Sequence, residues 1–411
     1  MNNNIQYKKY FKRLIIKMYR IKRLIILFYT FLNSIILVES QKKNNTNLEI
    51  QNIIYLEIIG KDYLKIINSE TLPDLVILND DKEIQIQKDG SIFLETNLDN
   101  INEIKMIWSK KLDYLDHFFD SLNSIIGIDL SEFDTSEVTT MNGMFYNCQN
   151  LEYINFGNIN TSLVIDMSYM FCGCYNLMTI DLSYFDTSKV KEMNSMFLNC
   201  VSLLYLDLTN FNTSELRTME NMFSGLEKIE EIDLSHLDTS KVTNMEGLFS
   251  FCFSLTHINL NVLNTSNVRT FSKLFLQCNN LKSLEISTIN TSSAINMDNI
   301  FFNCRSLTSL DLSYFNTSNV QRMDFMFAYC VSLMYINLTG FDTFNTYSMN
   351  SMFYECNSLK SLDLSSFYFN QVNLNFMFYE CKSLTSINFS KEYKLPDGVI
   401  YMFYGCSSLI S

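Results

Sequence analysis

From Ile125 onward the apolar residues follow two alternating rhythms, and the pair of rhythms recurs. Leu or Ile opens each copy at positions 125, 151, 177, 203, 229, 255, 281, 307, 333, 359, 384 and 409, a step of 26 residues nine times and of 25 twice. That makes eleven copies and the start of a twelfth. Their shared pattern is LxxLDLSxFDTSxVxxMxxMFxxC. In its first part Ile180 and Leu182 alternate with Thr179, Asp181 and Ser183, the period of a strand with one face outward. In its second part Val190, Met193, Phe197 and Cys200 fall three or four residues apart, which predicts a short helix; an extended VxxM portion is the alternative. Between the two, Asp-Thr-Ser or Asn-Thr-Ser supplies side-chain oxygens that cap free amides of a helix. Each copy therefore reads as strand, turn, cap and helix.

One copy buries too little apolar surface to offset the entropy of ordering its chain, whereas stacked copies cover one another's apolar faces. The expected fold is an α/β solenoid. Leu112, Leu115, Phe118, Phe119 and Leu122 stand one repeat before Val138, Met141, Met144, Phe145 and Cys148, so residues 106–124 read as a degenerate capping repeat ahead of the array at 125–411. Residues 48–105 differ. IIYLEIIG, DLVILND, EIQIQ, SIFLE and EIKMIW alternate as short strands, with turn signals at Asn79-Asp80-Asp81 and Asp89-Gly90, and predict a small β-rich module.

The first 40 residues have another character. Eight basic residues lie between Lys8 and Arg23, followed by 15 residues of mostly apolar sequence from Leu24 to Val38, then Glu39 and Ser40. That order predicts a secretory signal cleaved before Gln41, with Met18 as an alternative start and residues 41–47 as a polar spacer. An uncleaved anchor is the competing reading, against which stands the length of the apolar run, short of the roughly 20 residues a spanning helix needs. No second run of spanning length follows. Without residues 1–40 the chain carries 23 basic against 43 acidic residues, a formal charge of −20. Such a surface repels nucleic-acid phosphate and suits cations or basic partners.

The coils LDLSYFDTSKVKEMNSMFLNC and LDLSYFNTSNVQRMDFMFAYC closely resemble the repeats of BspA-like leucine-rich-repeat surface proteins and related mycoplasma lipoproteins, also found in protists, over Ile125 to Ser411. The resemblance implies a right-handed leucine-rich-repeat-like solenoid, secreted or displayed at a cell surface, that adheres to extracellular proteins or matrix and has no enzymatic role. The chain departs from the lipoprotein members because its first cysteine is Cys148, so no lipid-bearing cysteine follows the apolar segment. An intracellular scaffold is the alternative if that segment is not a signal.

Several residue sets invite chemistry. Ten cysteines (148, 174, 200, 252, 278, 304, 330, 356, 381 and 406) share one slot, and Cys172 is extra. If the slots ride on packed helices, about 8–10 Å apart, they exceed the roughly 7 Å reach of a disulfide, and Leu226 fills the same slot, so buried free thiols are expected. Pairing stays open, with Cys172 to Cys148 or Cys174 the contact best suited to oxidation. The Met-Phe stripe, Met196-Phe197 among others, reads as core. His117, His236 and His257 lack metal-ligand or nucleophile spacing, so neither catalysis nor a cofactor is expected.

The outward strand slots carry Asp129, Asn155, Asp181, Asp207, Asp233, Asn259, Glu285, Asp311, Asn337, Asp363 and Asn388. Neighbours about 4.8 Å apart repel by roughly 0.9 kcal/mol when both are charged, even in water. Plain solvation with screening is the expected resolution; partial protonation and calcium lodged between carboxylates are the alternatives, although no coordinating Gly-Asp loop accompanies the ladder. Two residues earlier the slot varies through Tyr153, Thr179, Tyr205, Glu231, His257, Ser283, Ser309, Tyr335 and Ser361. Variation there against constancy inside marks a candidate binding face around Tyr153, Tyr205, His257 and Tyr335, joined by Asp181, Asp207 and Asp233. Glycosylation sequons stand at Asn44, Asn160, Asn212, Asn264, Asn290, Asn316, Asn337 and Asn388. Asp replaces Asn in the same repeat slot elsewhere, so capping alone also accounts for that residue.

Overall fold

The computed structural model describes residues 52–60, 62–79, 82–94, 102–369, 372–389 and 399–409. The leader segment, its cleavage point, the 41–47 spacer and Asn44 lie outside the described residues. The first strands are β1 (Asn52–Ile58), β2 (Asp62–Lys65), β3 (Leu75–Leu78), β4 (Lys82–Glu83), β5 (Ser91–Leu94) and β6 (Asn102–Trp108). EIQIQ contributes only Glu83, to the two-residue β4, and β2 was not evident from the pattern.

The sheet does not stop at the first coil. The strand β7 (Ile125–Asp129) pairs antiparallel with β1, which pairs antiparallel with β6, so Leu56 has Ile128 on one side and Ile104 on the other. On its far edge β7 pairs in parallel with β8 (Tyr153–Asn155), so one sheet in the order β4-β3-β6-β1-β7-β8 runs from the N-terminal strands into the array. Trp108 is fully buried at this junction, 5.9 Å from the Phe118 ring and 5.6 Å from that of Phe133, and its indole N–H donates to the Thr71 carbonyl at 3.1 Å.

Later strands are short: β9 (His257–Asn259), β10 (Ser283–Glu285), β11 (Ser309–Asp311), β12 (Tyr335–Asn337), β13 (Ser361–Leu364) and β14 (Ser386–Phe389). They pair in parallel at the repeat step, as in Ser283 with His257 and Ser309 with Tyr335. A second parallel ladder follows Val on another side of the coil, linking Thr140, Asp166, Glu192, Thr218, Asn244, Thr270, Asn296, Arg322, Ser348 and Asn373 in single bridges. The chain is a β-solenoid of about ten turns.

Among the described residues no helix forms, which corrects the expected strand-turn-helix coil. The hydrogen bonds show what replaces it. Amides of Ser195, Phe197 and Asn199 donate to Glu220, Met222 and Ser224 of the next coil at 2.7, 3.1 and 2.9 Å. The intervening amides of Met196, Leu198 and Cys200 donate three residues back, to Met193, Ser195 and Phe197. Ser195 and Asn199 take φ of 54° and 59°, which breaks any helix and chains tight turns together. The cause is spacing. Phe119, Phe145, Phe171 and their successors to Phe403 form one column of near-parallel rings 5.2–6.3 Å apart. Adjacent helices need about 8–10 Å, so coils this close have no room for them, and VxxM is extended.

The core lies inside this stack. Val190, Met193, Met196, Phe197 and Cys200 of one coil and Leu203, which opens the next, are all fully buried, and equivalent slots repeat along the array. Residues 115–121 use the same hydrogen-bonding scheme toward the first coil, with Phe119 donating to Met144 at 2.8 Å.

Candidate functional site

On the strand face each Asp or Asn of the outward ladder from Asp129 to Asp363 does local work first. Its side-chain oxygen accepts the amide two residues on, as Asp181 does from Ser183 (3.1 Å), Asp207 from Thr209 (3.0 Å) and Asp233 from Ser235 (2.9 Å). These Asx turns end the strand. The amide and hydroxyl of Ser313 hold the Asp311 carboxyl below its ordinary range. Where Asp and Asn alternate, a rung forms between coils: Asn155 donates to Asp129 at 2.8 Å and Asn388 to Asp363 at 3.1 Å. Those rungs join paired strands, β7 to β8 and β13 to β14. Asp181, Asp207 and Asp233 fall in the coils without a named strand, between β8 and β9. Three like charges in consecutive coils oppose the close approach that a rung favours.

The variable slots are not brought together as one pocket. Tyr153 is half-buried, its ring lying across Gly127, where a Cβ would come within 2.3 Å of it. Tyr205 and Tyr335 are 51% and 53% exposed. The Lys360 ammonium stands 5.4 Å above the Tyr335 ring. His257 reaches Ser283 Oγ at 2.9 Å through Nδ1 and Glu285 at 3.4 Å through Nε2. Two or more coils separate Tyr153, Tyr205, His257 and Tyr335, so they dot a face. Among the described residues no group of three or more His, Cys, Asp or Glu is placed to hold a metal ion.

With the phenylalanine rings of successive coils 5.2–6.3 Å apart, the helix-based distance objection to disulfides no longer holds. Equivalent slots related by a translation keep their Cβ atoms that same distance apart, still beyond the usual 3.5–4.5 Å of a bridge. All eleven cysteines are free. Each of the ten in the shared slot turns its thiol to the Phe carbonyl of the preceding coil, for example Cys200 to Phe171 at 3.1 Å and Cys278 to Phe249 at 3.0 Å. Burial pushes the Cys252 and Cys330 thiols up to about 12.

A shallow cavity of about 410 Å³ is lined by Lys65, Asn68, His117, Asp120, Ser121 and Leu122. His117 Nδ1 lies 2.9 Å from Asp120, and the Ser121 hydroxyl donates to that same carboxylate at 2.6 Å. The serine is thus bonded to the acid and not to the imidazole, unlike an activated nucleophile.

Among the sequons, Asn160, Asn212, Asn264, Asn290 and Asn316 are exposed in one geometry, each accepting an amide of the Ser two residues on, as in Asn264 from Ser266 at 3.1 Å. Asn337 uses its oxygen likewise toward Thr339, while the Asn388 amide is engaged in its rung. The capping chemistry read from Asp/Asn-Thr-Ser therefore stands, but it caps a turn.

Two columns escaped the sequence reading. The threonine of every Asp/Asn-Thr-Ser, such as Thr187 and Thr265, is no more than 2% exposed, and its hydroxyl donates to a carbonyl of the next coil while accepting, in most coils, that residue's amide. Its constancy beside an Asp/Asn that varies was the available signal. Along the second ladder polar side chains interlock, with Asn142 donating to Asp166 at 2.9 Å and Arg322 held by Asp298 at 2.8 Å and Asp324 at 2.9 Å. Burial raises the Asp298 pKa.

Comparison with known proteins places the repeat. The family described as "Mycoplasma protein of unknown function, DUF285" matches residues 113–232, 201–310, 254–357 and 307–410. The chain belongs to the DUF285 family. No curated protein matches it. Among solved structures, this DUF285 chain is similar to a leucine-rich repeat protein from Bacteroides ovatus, at 18% identity over 79% of this chain and 90% of that one, with a TM-score of 0.38. It is also similar to a leucine-rich repeat protein of Leptospira interrogans, at 14% identity over 63% and 73% with a TM-score of 0.21. The functional domain of InlJ from Listeria monocytogenes, described as including a cysteine ladder, gives 15% identity over 65% and 68% and a TM-score of 0.15. Among the described residues no helix is long and apolar enough to cross a membrane.

Proposed function

We propose that this DUF285 chain is a secreted or surface-displayed binding protein that adheres to extracellular proteins or matrix through its solenoid surface, without catalysis. The observation that carries the reading is the contrast between sides of one coil. Phe, Cys, Met and Thr columns stay nearly constant inside, while the slots of Thr179, Tyr205, Glu231 and His257 change chemistry from coil to coil on an exposed face. Stability resides in columns that outward substitutions do not touch, which frees the face for recognition. Exposed tyrosines there offer broad contact with a polar tip. The sequons at Asn160, Asn212, Asn264, Asn290 and Asn316 would carry glycans on the neighbouring turn.

Protease treatment of intact cells expressing the full chain, with sequencing of the mature N-terminus, tests its place. Cleavage of the protein on intact cells and a start at Gln41 support display; a protected chain retaining residues 1–40 supports the intracellular scaffold instead. Adhesion of cells carrying Tyr205→Ser, His257→Ser and Tyr335→Ser together tests the face. The expected result is a loss of adhesion at unchanged surface level, and full adhesion would count against this face.

A further inference from the structure

Every coil passes through two left-handed residues, one before Met-Phe and one before the Cys slot. Asn and Gly, which enter that region most easily, and the small Ser hold these positions in many coils, as at Asn147, Gly173, Ser195, Asn199, Asn221 and Gly225. Toward the C-terminal coils bulky rings replace them. Phe325, Tyr329, Phe376 and Tyr401 adopt φ of 55°, 61°, 56° and 51°; Tyr169 and Phe251 are earlier exceptions. An aromatic side chain in that conformation is a strained choice. Its ring does not repay the strain in the core, since Tyr401 is 60% exposed.

These rings join a second set. The slot after the core Phe holds Tyr354, Tyr379 and Tyr404, stacked at 4.7 Å and then 5.0 Å, with Tyr329 5.3 Å from Tyr354. Phe376 lies 5.9 Å from Tyr379 and 5.8 Å from Tyr401, which meets Tyr404 edge-on at 5.8 Å. The result is one connected aromatic surface from Tyr329 to Tyr404, with Tyr404 itself 53% exposed. Its neighbouring charges are mostly acidic. Glu380 packs its carboxylate over Gly405 and pairs with Lys382 at 3.1 Å. Burial, Tyr404, Glu380 and Glu355 together raise the Tyr379 pKa, which places both glutamates within electrostatic reach of the column.

We infer that this aromatic column is a docking surface for a cationic polypeptide, whose Arg and Lys side chains lie over the tyrosine rings and beside Glu355 and Glu380. Charge selects the occupant. A second copy of the chain, at a formal −13, brings like charge, and anionic lipid or nucleic acid meets the same repulsion. Guanidinium and ammonium groups instead gain from both the ring faces and the carboxylates. The surface uses the turn side of the coils, separate from Tyr205 and His257, so it goes beyond the binding face proposed above.

The test uses the full chain and a fluorescent nona-arginine peptide, read by anisotropy at about 150 mM salt, where long-range attraction is screened. Tyr379→Ser with Tyr404→Ser should weaken binding by about tenfold or more. Tyr379→Phe with Tyr404→Phe, which keeps both rings, should restore it, and Asp311→Asn with Asp363→Asn on the strand face should change it less than about twofold. Circular dichroism establishes that each variant is folded. Absence of peptide binding, equal binding by the serine variant, or an equal loss from the strand-face variant would each overturn the inference. So would tyrosine-dependent dimers in light scattering or tyrosine-dependent capture of phosphatidylserine vesicles, which would assign the surface to another occupant. Loss of adhesion from the Tyr205 set with peptide binding intact bears only on the earlier proposal.

Discussion

Replacing Thr265 by Val tests whether the threonine column holds the stack. The side chain keeps its volume and branching, so packing is nearly conserved while the hydroxyl is lost. That hydroxyl, 1% exposed, donates to the Asn290 carbonyl at 2.8 Å and accepts the Asn290 amide at 2.8 Å. Val leaves both backbone groups facing a methyl. A buried polar group left without a partner costs about 1–3 kcal/mol, so the expected destabilisation is about 2–5 kcal/mol. Thr265→Ser, which retains the hydroxyl and drops a methyl, should cost only about 1 kcal/mol. Urea unfolding gives the global change. Because coils in an array lose cooperativity with distance, hydrogen exchange at the Asn290 amide is the sharper assay and should accelerate by about two orders of magnitude or more for a loss of roughly 3 kcal/mol. A Val variant within about 0.5 kcal/mol of the parent, with Asn290 exchange unchanged, would refute the assignment of that column as the link between coils.

Alkaline pH should weaken the array through its thiols. Cys148, Cys252 and Cys330 are raised to about 12 by burial, whereas an unfolded thiol titrates near about 8.5. The stabilisation is complete below that lower value and is lost as pH rises toward the folded value, because only the unfolded chain releases protons in between. Each such thiol adds a slope of about 1.4 kcal/mol per pH unit, so urea midpoints should fall steeply above about pH 9 and less steeply in a C252A/C278A/C304A variant; a flat midpoint from about pH 7.5 to 10 would contradict this. On the strand face, Asp207→Asn keeps an oxygen for the Thr209 amide and removes charge between Asp181 and Asp233, so stability should rise at low salt by up to about 1–2 kcal/mol and the gain should vanish near 1 M salt. Equal gains at both salt concentrations would show that charge is not the cause.

Much of this architecture was legible because identical slots in successive copies announce their own burial. The columns of Val190, Met193, Phe197 and Cys200, and the outward place of Asp181 and Asp207, follow from the repeat alone. The helix did not follow. Apolar residues three and four apart are compatible with a helix face and equally with chained turns whose every third or fourth side chain turns inward. What separates the two is the distance between coils, which a single copy does not encode. Residues in the left-handed region were the local clue: Asn147, Gly173 and Asn199 precede or lie near the Cys slot, where helix formers would otherwise suffice. The binding face was legible in position but not in arrangement, since Tyr153 is half-buried with its ring over Gly127 while Tyr205 in the same slot is 51% exposed.

Coil spacing also explains why the outer ladder is uneven. A rung between Asp129 and Asn155, or between Asp363 and Asn388, gives each carboxylate a donor across the gap that the parallel strands already bridge. With Asp in consecutive copies there is no side-chain donor to offer, and charges about 5 Å apart repel. The coils remain stacked there, since Leu204 still donates to Met178 at 3.0 Å and the Phe column passes through unbroken. The widest step in that column, 6.3 Å between Phe197 and Phe223, belongs to the coil where the bulkier Leu226 replaces Cys. Inner and outer substitutions thus act on different sides of the coil: a larger side chain in the Cys slot accompanies wider ring spacing, and repeated charge accompanies loss of strand pairing. An array held together by its threonine, thiol and phenylalanine columns can tolerate the second without losing the first, and that independence is what lets an outward face vary.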